Sequence, residues 1–207
     1  MIYDISLPIS NDLPVWPGDT PVAVGGREPG VASRVSRITL SCHAGTHVDA
    51  PAHFLTDGAT VDQLPLDVLV GPAWVAYLPG PDPITADRLA AAGIPDGPIR
   101  LLLRTDNSIG KSARRDFDRA YIAMTADAGA WLLARGMRLI GVDGPSVDPF
   151  DAVDSPLHYA LLSAGVVIVE NMDLTDIAPG GYRLACLPLR IVGADGAPAR
   201  VVLIRET

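Results

Sequence analysis

From Arg34 to Ser41 polar and apolar residues alternate, with Val35, Ile38 and Leu40 set among Ser36, Arg37 and Thr39, the period of a strand with one face buried. Val70–Leu78 and Ile99–Arg104 also read as strands, the second apolar enough to lie inside a sheet. Between them, Thr85–Ala92 opens on a capping threonine and stops at Gly93, the two signals of a short helix. Thr125–Arg135 repeats the device: Thr125 caps, Ala128, Leu132 and Leu133 form an apolar stripe, and Gly136 ends it. Leu139–Val142 is then a buried strand running into Asp143-Gly144-Pro145. Ser155–Ala164 is a further helix, stopped by Gly165 and followed by the strand Val166–Val169 and Glu170. Each of these helix-then-strand units delivers an acidic residue to a strand end. Gly181–Leu187 and Arg200–Arg205 supply closing strands. The pattern predicts the α/β class: a compact single domain over residues 1–207, with a mixed β-sheet and flanking short helices.

Composition narrows the class of function. The chain has 207 residues and no long polar linker, so one domain with one sizeable core is expected. Its formal charge of −8 repels a nucleic-acid backbone. The basic cluster Lys111, Arg114, Arg115 and Arg119 is interleaved with Asp116 and Asp118 and reads as a solvated face. No apolar stretch approaches the roughly 20 residues of a membrane span, and Met1–Pro14 lacks a basic region followed by an apolar run. A cytoplasmic protein without nucleic-acid or membrane partners is therefore expected. Cys42 and Cys186 are far apart and form no CxxC pattern, so both are read as buried free thiols.

The candidate chemistry is concentrated in His43-Ala44-Gly45-Thr46-His47-Val48-Asp49-Ala50-Pro51-Ala52-His53, which holds three of the four histidines of the chain. Imidazole nitrogen and carboxylate oxygen suit Zn²⁺ and other divalent first-row metals. In extended chain, side chains alternate, so His47 and Asp49 share one face and Val48 takes the other. Gly45 permits a turn that brings His43 back beside them, and Pro51 biases Ala50 away from helix. The glutamate of helical HExxH zinc sites is absent, Ala44 standing in its place. Histidines with carboxylates are more typical of catalytic sites that keep a position open for water than of Cys-rich structural sites. A carboxylate at Glu170, after four apolar β-branched residues, is costly unless paired or metal-bound. His158, on the preceding helix, can converge with it. Asp143 is expected either to support a metal ligand or to stabilise its own turn.

Several blocks carry a family resemblance: Val15-Trp16-Pro17-Gly18-Asp19, the His43–His53 motif continuing to Phe54, Arg138–Asp148, His158 with Glu170-Asn171, and Leu187-Pro188-Leu189. Together they resemble the bacterial kynurenine formamidase and putative cyclase family of metal-dependent hydrolases, which also includes isatin hydrolases. The resemblance implies that His43, His47 and Asp49 bind one metal, that Asp49 reaches a second held by His158, and that Glu170 bridges both. It leaves His53 as general acid and base and puts Trp16 in the substrate pocket. Zinc is the expected metal, with up to two ions per subunit and manganese or cobalt as alternatives, in a homodimer or homotetramer. The implied activity is hydrolysis of an aryl formamide such as N-formylkynurenine, a step of tryptophan catabolism. Alternatives are a cyclic-amide (isatin-like) hydrolase, a cyclase or dehydratase of secondary metabolism, and a non-catalytic metal-binding module. Thr46 and Asn171 fit the broader cyclase group more closely than the formamidases, and the Thr105–Asp118 segment matches nothing assignable to formylkynurenine.

Overall fold

The computed structural model describes residues 1–26, 33, 35–97, 99–111 and 115–205. In chain order its strands are β1 (Ile2–Asp4), β2 (Ala23–Gly25), β3 (Arg37–Thr39), β4 (His47–Asp49), β5 (Val70–Tyr77), β6 (Arg100–Arg104), β7 (Leu139–Val142), β8 (Val167–Glu170), β9 (Gly180–Pro188) and β10 (Gly196–Ile204). The helices are α1 (Leu66–Leu69), α2 (Ala86–Ala91), α3 (Ala126–Ala134) and α4 (Pro156–Ser163). The expected mixed sheet is present, and it closes on itself. Its order is β1-β10-β4-β8-β7-β6-β5-β9, and β9 pairs again with β10. The contacts β5–β6, β6–β7 and β7–β8 are parallel, as helix-linked crossovers require, while β4, β9 and β10 pair antiparallel.

Closure divides the apolar residues into two cores by strict alternation. Val48, Val75, Leu102, Leu139, Val167, Val169, Leu184, Cys186 and Val201 fill the barrel. Ala76, Leu101, Leu103, Ile140, Val142 and Ile168 face outward and are covered by Leu89 of α2, Leu132 of α3 and Leu161 and Leu162 of α4. The parity matters for the site. Because Val48 points inward, His47 and Asp49 point outward. Because Ile168 points outward, so does Glu170.

Three local expectations are corrected. The Arg34–Ser41 strand shrinks to β3, which is exposed throughout and, among the described residues, pairs only with β2 in a separate two-stranded ribbon. Its alternation faces solvent on both sides, and Arg34 lies outside the described residues. The Thr125 hydroxyl does not cap α3 but donates to the Ile84 carbonyl at 3.0 Å. Cys42 is half-buried rather than in the core, while Cys186 is fully buried. Among the described residues, no helix is long and apolar enough to cross a membrane.

Arg100 begins β6, is only 4% exposed, and spends its guanidinium on main-chain carbonyls. Its Nε donates to Val68 O at 2.7 Å, Nη1 to Pro72 O at 3.1 Å, and Nη2 to Val70 O at 3.1 Å and to Asp67 O. These carbonyls come from the end of α1 and the start of β5, so one side chain fixes where the helix stops and the strand begins. Arg100→Met is expected to cost about 3 kcal/mol, because it orphans several partly buried carbonyls at once. Urea denaturation measures this, and an unchanged midpoint would mean that water replaces the guanidinium at no cost.

Candidate metal centre

The antiparallel register of β4 and β8 places His47 opposite Glu170 and Asp49 opposite Ile168, so the three polar side chains emerge together on the outer wall of the barrel. Gly45, with φ 68°, makes the turn that returns His43 to this face. His43 Nδ1 comes to 2.8 Å from Asp49 Oδ1. The approach also needs Gly196 on β10, where a Cβ would lie 2.7 Å from His43 Cε1. α4 packs over β8 and lowers His158 onto the cluster, and the short 3₁₀ turn Pro51–His53 presents His53 beside it.

The spacing of the donors distinguishes a metal cradle from a set of ordinary hydrogen bonds. His47 Nε2 lies 3.3 Å from Asp49 Oδ1 and 3.5 Å from Glu170 Oε2, and His158 Nε2 lies 3.3 Å from Glu170 Oε1 and 3.6 Å from Asp49 Oδ2. Ligands about 2.0–2.1 Å from a tetrahedral zinc stand roughly 3.3 Å apart, which these separations match. The outer nitrogens are already committed. His47 Nδ1 donates to Gly45 O at 2.8 Å, and His158 Nδ1 donates to Asp148 Oδ2 at 2.6 Å. Neutral imidazoles held this way aim their Nε2 lone pairs at carboxylate oxygens, a repulsive arrangement unless a proton or a metal ion lies between them. Asp49 Oδ2 is buried and has no hydrogen-bond partner, the orphan that a metal satisfies. His43, His47 and Asp49 form one group able to hold an ion, Asp49, His158 and Glu170 form a second, and His43, His53 and Asp195 form a third, less buried one. Asp49 and Glu170 each extend one oxygen to either side.

The proton equilibria report the same demand for positive charge. Burial pushes the His47 and His158 imidazoles down, but the facing carboxylates outweigh it and raise them to about 10 and about 12 respectively. Burial also pushes Asp49 and Glu170 up, yet the histidines hold Asp49 well below the carboxylate range and Glu170 below its usual value. His53 is pushed below its ordinary value, chiefly by burial, so it is neutral at pH 7. Both raised imidazoles lie above pH 7, so the metal-free protein carries them protonated, and metal uptake at pH 7 is expected to release protons. Titration calorimetry in buffers of different ionisation enthalpy measures the release. A buffer-independent enthalpy would contradict it.

The structure brings together all the residues singled out around the His43–His53 motif, and it corrects their surroundings. Asp143 reaches no metal ligand: its carboxylate accepts from Thr105 N, Thr105 Oγ1 and Ser108 Oγ, each at 2.7 Å. Asp148 takes the ligand-supporting role that was one of the two alternatives for Asp143. It accepts from Leu157 N and His158 N, both at 3.0 Å, as well as from the His158 ring. It thereby caps α4, whose own N-cap Ser155 is left-handed and makes no capping bond. The basic cluster is not a solvated face throughout. Lys111 is buried and donates to Asp143 O, Arg115 lines the cavity, and Arg114 lies outside the described residues. Asp195, absent from any motif, touches both His43 and His53.

A cavity of about 400 Å³ opens above the cluster, with His43, His47, His53, His158 and Glu170 among its lining residues. Trp16 forms its wall, standing edge-on to Phe117 at 5.2 Å and tilted against Phe150 at 5.1 Å. Thr46 takes no part in the wall. Its hydroxyl donates to Asn171 O at 2.7 Å and accepts from Leu7 N at 2.9 Å, so it serves the backbone.

Converging imidazole and carboxylate donors beneath an open, aromatic-walled cavity define the class: a metal-dependent enzyme with room for water and substrate at the ion. The family model described as putative cyclase matches residues 3–149, and the chain belongs to that family. It is similar to the kynurenine formamidase of Bacillus cereus, with 40% identity over 203 residues, 97% of this chain and 95% of the relative. A solved structure described as a potential metal-dependent hydrolase with cyclase activity superposes with a TM-score of 0.86 at 33% identity, covering 100% of this chain and 99% of the other. Isatin hydrolase A from Labrenzia aggregata superposes with a TM-score of 0.79 at 26% identity, covering 100% of this chain and 94% of the other.

Proposed function

We propose that this protein is a divalent-metal-dependent amidohydrolase that cleaves an aryl formamide, such as N-formylkynurenine, to formate and the aryl amine. The observation that carries the reading is the buried, unpartnered Asp49 Oδ2 amid imidazole nitrogens at ligand spacing, in a chain 40% identical to a kynurenine formamidase. His43, His47 and Asp49 hold one ion, and Asp49, His158 and Glu170 hold a second. Zinc is the first choice, with manganese or cobalt as alternatives, since the same donors serve all three. When bound, such an ion polarises a carbonyl oxygen and brings the pKa of water towards neutrality.

The remaining work belongs to the chain. Trp16 offers a flat apolar face to an aromatic ring, and Phe117 closes the same wall. Gly45 and Asp148 hold the His47 and His158 imidazoles in the tautomer that exposes Nε2. His53 lines the cavity, is neutral at pH 7, and is the proton carrier: it takes a proton as the carbonyl is attacked and returns it to the departing nitrogen, otherwise a poor leaving group. We place the protein in the cytoplasm as a homodimer or homotetramer, which size-exclusion chromatography with light scattering tests.

A second reading, cyclic-amide hydrolysis, draws on the likeness to the Labrenzia isatin hydrolase. One experiment separates the two. The metal-reconstituted protein is assayed against N-formylkynurenine, isatin and small aryl amides. Formate release from the open-chain formamide at much higher kcat/KM than isatin opening supports the first reading. Preference for isatin transfers the conclusion to the second, and turnover of neither removes both.

A further inference from the structure

Asp195 stands 152 positions from His43 in the sequence, and no motif points to it. The fold places it just ahead of β10, where Gly196 pairs with Asp49. Its backbone carbonyl accepts the Ala50 amide at 2.9 Å, so Asp195 is anchored to the same strand end that carries the candidate ligands. Its Oδ2 lies 3.0 Å from His43 Nε2 and 3.3 Å from His53 Nδ1. One oxygen thus faces two imidazoles, whose rings stack at 4.0 Å with 26° between their planes.

An ion shared by two stacked rings would sit far out of the plane of at least one of them, where no lone pair points. The Asp195 oxygen is hydrogen-bonded to His43 and stands at ion-pair distance from His53. His43 turns Nδ1 to Asp49, and with Nδ1 given to the ion its Nε2–H is left to donate to Asp195. For His53 the negative oxygen 3.3 Å from Nδ1 favours hydrogen on that nitrogen and leaves Nε2 as the atom that exchanges a proton.

We propose that Asp195 is a positioning residue for His53, fixing its tautomer and its ring through a carboxylate oxygen shared with His43. The inference rests on the reading of His53 as the proton carrier. The Asp195 side chain is 47% exposed, so solvent screens its charge and its contribution is orientation.

The test uses zinc-loaded protein and a series of ring-substituted formanilides whose aniline leaving groups span a range of basicity. Asp195→Ala is expected to lower kcat about 10- to 100-fold for the most basic anilines, with KM little changed, and much less for anilines carrying electron-withdrawing groups. Those need the donated proton least. Asp195→Asn, which keeps an accepting oxygen, should recover part of the loss. Zinc content and melting temperature should match the parent in both variants. A uniform loss across the series, a loss accompanied by missing zinc or a lower melting temperature, or no loss at all overturns the proposal. His53→Ala separates the two levels. If it shows steep leaving-group dependence while Asp195→Ala does not, the Asp195 inference alone fails. If His53→Ala leaves the series flat, the reading of His53 fails and takes the Asp195 inference with it.

Discussion

Asp49→Asn is expected to strip metal from both positions and to lower turnover by about 10³-fold or more, the equivalent of about 4 kcal/mol of lost charge stabilisation. The two oxygens of Asp49 face different imidazoles: Oδ1 is 2.8 Å from His43 Nδ1 and 3.3 Å from His47 Nε2, and Oδ2 is 3.6 Å from His158 Nε2. An amide has the same outline, so the barrel wall should survive, but it is neutral and offers one good acceptor instead of two. Elemental analysis after dialysis and kcat on the formamide substrate give the two readouts, with circular dichroism to confirm the fold. Full metal content in the variant would show that the ions, if bound, are held elsewhere. Full turnover without metal would remove the hydrolase mechanism altogether.

His53→Ala is expected to behave oppositely in one respect. Turnover should fall by about 10²- to 10⁴-fold, the usual worth of a positioned general acid or base, while metal content stays at the parent level. His53 belongs to a third group, with His43 and Asp195, to which neither ion is assigned, and its nearest partners are the stacked His43 ring and Asp195. Its loss should therefore leave the other imidazoles in place. Loss of metal together with activity would reassign His53 as a ligand, and unchanged turnover would reduce it to a structural ring. With Asp49→Asn, this variant separates ion binding from proton transfer, two roles that share one short stretch of chain.

How much of this could be read from the chain depends on the distance over which each feature is specified. Alternation is a local property, so Val48 flanked by His47 and Asp49 already assigned the two polar side chains to one face, and β7, β8 and α4 fell close to their expected bounds. Hydrophobic parity misled at Arg34–Ser41, because a two-stranded ribbon has no core to reward the pattern. Thr125 has the right residue type for a cap but finds a better acceptor in Ile84 O, a tertiary partner.

The sequence by itself determined the donor types, their clustering between His43 and Asp49, and the strand parity that aims them together. It also marked Glu170 as costly to bury without a partner and His158 as able to converge with it. Only the tertiary structure decided that the mixed sheet closes through β9 and β10, that Asp148 rather than Asp143 supports His158, and that Asp195 reaches both His43 and His53. The reason is physical. Side-chain direction within a strand is fixed by local backbone geometry, whereas the pairing of β10 beside β4, and the acidic groups it brings to the site, depends on register between segments well over a hundred residues apart.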